Sequence, residues 1–75
     1  MPMVRAMRLL NAIEAGTLNG AQLQTLLMED TGRLAEFSVL MGMRGQVRRM
    51  AASSTAMTAV AASSTAMTAV AASST

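Results

Sequence analysis

Three features of the sequence predict an all-α fold of short helices in series. Apolar residues recur at helical spacing through positions 1–50. Capping and stopping residues divide those stretches. The remainder, 51–75, is a ten-residue repeat rich in Ala, Ser and Thr, with serines where helix caps belong. Residues 1–50 therefore read as an N-terminal helical docking and assembly region, and 51–75 as a decapeptide-repeat region.

Pro2 suits a helix start, where its missing N–H costs nothing. Met3, Met7, Leu10 and Ile13 then form one stripe, with Arg5, Arg8 and Glu14 off it, so a helix is expected over 3–15 with Gly16 as its stop. Thr17 or Asn19 can cap a second helix, over 20–28, that buries Leu23, Leu26 and Leu27. Asp30 caps a third, with Leu34, Phe37 and Leu40 inward and Arg33 and Glu36 outward; Gly42 ends it. A fourth short helix is expected over 44–52, with Val47 and Met50 on one side and Arg44, Arg48 and Arg49 on the other.

Positions 51–60 read AASSTAMTAV, 61–70 repeat this identically, and 71–75 begin it again. One continuous helix advances about 1000° per ten residues, about 80° short of three turns, so Met57 and Met67 would not share a stripe. A strand would keep its faces, but Ala is a poor strand former and no Gly, Asn or Pro marks turns. A third solution fits best: Ser53 and Ser63 are N-caps of two-turn helices, broken after Val60 and stacked as in a solenoid. Such helices are unstable alone and survive by packing on neighbours or on partner chains. Phe37/Leu40, Val47/Met50, Met57/Val60 and Met67/Val70 recur at intervals of ten and are the candidate subunit-packing pairs. Ala51, Ala52, Ala56 and Ala59 would let backbones approach. On this reading Met57→Asp costs several kcal/mol, because an unpaired charge is not buried cheaply.

Composition narrows the function. A 75-residue chain buries only about 60% of its unfolded surface, and a core that small supplies roughly 3–5 kcal/mol. There is no Cys and no His, so disulfides and ordinary zinc or haem sites drop out, and no cofactor is expected. Other chains are the remaining source of stability, which points to a homo-oligomer. One Phe and nine Met among 52% apolar residues suit close, adaptable packing through small side chains. Without His, Cys, Lys or Tyr, the usual nucleophile–base pairs are lacking, and an enzyme is not expected.

The tandem ASSTAMTAVA units resemble the ASxTAM-type decapeptide repeats of tailed-bacteriophage structural proteins, especially tail-fibre and other minor virion proteins. The stretch AGTLNGAQLQTLLMEDTGRLAEFSVLMGMRGQVRRMAASSTAM is similar to the lead-in that precedes such repeats, so the likeness covers about two thirds of the chain. Many members carry Pro after the capping Ser, where this sequence has Ser54 and Ser64. The resemblance implies a virion role, assembly in the host cytoplasm and other virion proteins as partners. It supplies no catalytic residues.

Other readings rank below packing. Arg44, Arg48 and Arg49 are candidate contacts to phosphates or to acidic partner groups, but no Tyr or Trp is present to stack bases, so a basic DNA-associated protein is the alternative rather than the first reading. The 3–15 helix, through Met3, Met7, Leu10 and Ile13, suits docking on protein better than on membrane, because it lacks aromatic anchors. The charge-free stretch 50–75 is too rich in Ser and Thr for a membrane span. Met3, Met7, Met28, Met41, Met43, Met50, Met57 and Met67 follow helix faces and read as packing rather than as soft-metal ligands. No small-molecule substrate is implied.

Overall fold

A computed structural model describes residues 2–73, and there the chain is all-α. The helices are α1 (Pro2–Ala15), α2 (Gly20–Glu29), α3 (Thr31–Met41), α4 (Arg44–Ala51), α5 (Ser54–Ala61) and α6 (Ser64–Ala72). No strand occurs among the described residues.

The stops and caps explain the boundaries. Gly16 closes α1 at φ +79°, a backbone that residues with a Cβ adopt at a cost. Asn19, not Thr17, caps α2: its side chain accepts from the Gln22 N–H at 2.9 Å, and the Gln22 side chain accepts from the Asn19 N–H at 2.9 Å. Asp30 serves two helices. Its N–H donates to the Leu26 carbonyl at the end of α2, while its carboxylate accepts from the Gly32 and Arg33 N–H groups at the start of α3. Met43, ahead of α4, provides no side-chain cap.

The repeat is broken helix. Ser53 and Ser63 sit in extended backbone, at φ −104° and φ −114°, and each hydroxyl accepts at 3.1 Å from the N–H three residues on, that of Ala56 or Ala66. The identical decapeptides thus fold almost identically, and α5 and α6 meet at 102°. Ser54 and Ser64 occupy the first helical positions after the breaks.

α3 and α5 each pack against all four other helices, so α1, α2, α4 and α6 are held between them. Phe37, Leu10, Ile13, Leu23, Leu27 and Leu40 are fully buried at the centre. The repeat contributes Ala56, Ala59, Val60, Ala66 and Ala69. The molecule measures 26 × 25 × 22 Å, so the short helices wrap one core rather than extend as a solenoid. It exposes 4472 Å², against about 4400 Å² for a folded monomer of this mass, and the core closes within one chain.

Several expected orientations change. Met57 and Met67 are 44% and 46% exposed, while Val60 is buried. The inward face of α5 is set by Ala56, Ala59 and Val60, and Met57 lies about 100° round the helix from Ala56. Met57→Asp therefore leaves the core of the single chain untouched. The ten-residue series holds for its second members, Leu40, Met50 and Val60, which are buried, with Val70 half-buried. Of the first members only Phe37 points inward; Val47, like Met57 and Met67, is exposed. Glu36 is also not outward: it is 8% exposed, turned towards α1 between Arg5 at 3.1 Å and Arg33 at 2.9 Å.

Gly20 lies at the α2–α5 crossing, where a Cβ would overlap the Ala62 Cβ and lie 3.2 Å from the Ala59 carbonyl oxygen. Gly45, inside α4, has nothing within 4 Å of a Cβ. Gly20→Ala is expected to destabilise by about 1–3 kcal/mol. Gly45→Ala should stabilise by about 0.5–1 kcal/mol. Urea unfolding of the two variants beside the wild type checks both signs.

Candidate functional site

Three polar links fix the helices and determine what remains free. The first ties the repeat to α2. The Ser63 hydroxyl donates to Gln24 Oε1 at 2.6 Å, and the Thr65 N–H donates to the same oxygen at 2.9 Å. Ser63 is fully buried, so this oxygen and the hydroxyl satisfy each other where water does not reach. The second is the Arg5–Glu36–Arg33 group, which joins α1 to α3. The third crosses from α4 to α1. Arg49 Nη2 lies 2.6 Å from Glu14 Oε1, and its Nε donates to both carboxylate oxygens at 2.9 and 3.0 Å. Arg49 Nη2 also donates to Asn11 Oδ1 at 2.6 Å.

The arginine set is thereby divided. Arg49 is held by Glu14 and Asn11, whereas Arg44 and Arg48 are exposed and have no ion-pair partner among the described residues. Both line a groove with Met41, Gly42, Val47, Val70 and Ser73. The ends of α3 and α6 form its walls, and α4 provides its charged rim. An apolar floor with free guanidinium groups beside it is a surface for a partner with an apolar anchor and carboxylates.

The other expected site residues divide between core and surface. In the docking helix, Leu10 and Ile13 are buried in the chain's own core, Met7 is half-buried, and only Met3 of that stripe is exposed, beside Val4. The stripe is therefore not free to dock elsewhere, because α3 and α5 already cover it. Among the packing pairs, Phe37, Leu40, Met50 and Val60 likewise serve the internal core, and Val47, Met57 and Met67 remain on the surface. Sequence reasoning missed Gln24 and Gly20. Gln24 sits inside α2 with no local cap to make, and its partner is 39 residues away.

No group of acidic residues that could hold a metal ion occurs among the described residues. No single helix there is long and apolar enough to cross a membrane. Compared with family models, curated proteins and solved structures, the chain matches none.

The two serine caps provide an internal control, since their decapeptides are identical but only Ser63 meets Gln24. Ser53→Ala should cost about 1 kcal/mol, the usual loss of a cap. Ser63→Ala should cost about 2 kcal/mol, because it also removes the hydroxyl's bond to Gln24, whose oxygen then keeps only the Thr65 N–H. In a Gln24→Ala background the two costs should converge, which a double-mutant cycle by thermal unfolding would show.

Proposed function

We propose that this chain is a structural subunit of a tailed-bacteriophage virion, in the tail, at a fibre attachment or in another minor position, and that it acts by packing against other protein subunits. Support comes from the resemblance of its repeat to virion decapeptide repeats and from a surface suited to protein contact. The observation that carries the packing reading is the groove of Met41, Val47 and Val70 rimmed by Arg44 and Arg48, which have no ion-pair partner among the described residues. Exposed Met57 and Met67 add adaptable apolar side chains outside a core that is already closed.

The reading includes no chemical step, because the chain has no His, Cys, Lys or Tyr with which to build one. The DNA-associated alternative is weakened by Arg49, which Glu14 engages. Two arginines without stacking aromatics make a poor phosphate track.

The experiment is to purify particles on a density gradient from cultures that express the chain, and to quantify it by mass spectrometry. The reading predicts that it co-sediments with particles in fixed stoichiometry to other virion proteins and stays there in high salt. Recovery of the chain only in the soluble fraction, or its release with salt alongside nucleic acid, would contradict it.

A further inference from the structure

At the opposite end of α3 from the arginine groove lies a corner of opposite character. Met28 is the most exposed of the large apolar residues among those described, at 67%. Glu29 and Asp30 follow it, both exposed. The Glu29 carboxylate has no ion-pair partner among the described residues, and it ends α2, where the helix dipole is negative and no basic residue stands in the last turn. A carboxylate in that position gains from an external cation. The corner lies at the start of α3 and the groove at its end, separated by about 15 Å of helix. They therefore cannot meet within one chain.

We infer that the groove receives the Met28–Asp30 corner of a second copy, so that chains join head to tail. This rests on the packing function proposed above and names its partner. Met28 supplies the apolar anchor for the floor between Met41, Val47 and Val70, and Glu29 and Asp30 face Arg44 and Arg48. Two acidic groups meet two basic ones around one apolar contact, and all four charges are otherwise exposed. Because the two surfaces differ, the contact is heterologous: each copy that binds presents a fresh groove and a fresh corner, and growth stays open-ended unless the rotation closes a ring.

The contact is tested with two variants chosen to leave the fold intact. Glu29→Arg places a cation at the C-terminal end of α2, and Arg44→Glu places an anion at the N-terminal end of α4, both favourable to their helices. The second chain also carries Arg48→Gln. Sedimentation velocity of the wild type should show mass rising with concentration. Each variant alone should remain a monomer, since one lacks a working corner and the other a working groove. An equimolar mixture should regain association, because the second variant's corner fits the first's groove and the two reversed charges attract each other at the remaining ends. A wild type that is monomeric at every soluble concentration overturns the inference and leaves the groove to a different subunit, without bearing on co-sedimentation with particles. Variants that associate like the wild type overturn it as well, by placing self-association elsewhere on the surface.

Discussion

Every ten residues the second half of this chain ends one helix and begins another, and each junction leaves backbone N–H groups that need acceptors. A helix of eight residues cannot hold itself in water. Within the repeat the fold therefore depends on two provisions at each junction: a serine hydroxyl that accepts at the new N-terminus, and an alanine face that lets the helix settle against its neighbours. With both present, short helices of little intrinsic stability turn through a large angle and wrap the core that α1, α2 and α3 begin. Gly20 and Gln24 on α2 receive the repeat, one by leaving room for Ala62 and the other by bonding Ser63.

Identical decapeptides in two positions show how much of this is local. Ser53 and Ser63 take the same backbone conformation and make the same cap, and Ala56 and Ala66 are equally buried. What differs comes from the surroundings. Ser63 is fully buried and bonded to Gln24, while Ser53 is partly exposed. The local sequence sets where each helix starts; its neighbours set how firmly it is held.

The same division explains what the sequence made legible. The stops at Gly16 and Gly42 and the caps at Asp30, Ser53 and Ser63 depend on residues within a few positions and are readable from spacing and residue type, whereas spacing alone leaves Thr17 and Asn19 both open as the cap of α2. Facing directions within two-turn helices are not readable in this way. Met57 and Val60 are i and i+3, which suits a shared face, but Ala56 and Ala59 fit the closer contact and turn Met57 outward. Large apolar side chains attract notice in a sequence, whereas here alanine decides the packing because the helices approach too closely for methionine. Glu36 was misplaced for a related reason: a charged residue reads as surface unless its partners are known, and Arg5 belongs to another helix. The groove and the acidic corner were equally hidden, since each is assembled from the ends of helices.

The fold rests on the repeat being two capped helices folded onto α2, and backbone NMR tests that directly. Cα chemical shifts should be helical over 54–61 and 64–72 and should break at Ala52–Ser53 and Ala62–Ser63, with nuclear Overhauser contacts linking Gly20 to Ala62 and Gln24 to Ser63. Unbroken helical shifts from 50 to 72, with no contact between the repeat and α2, would contradict it.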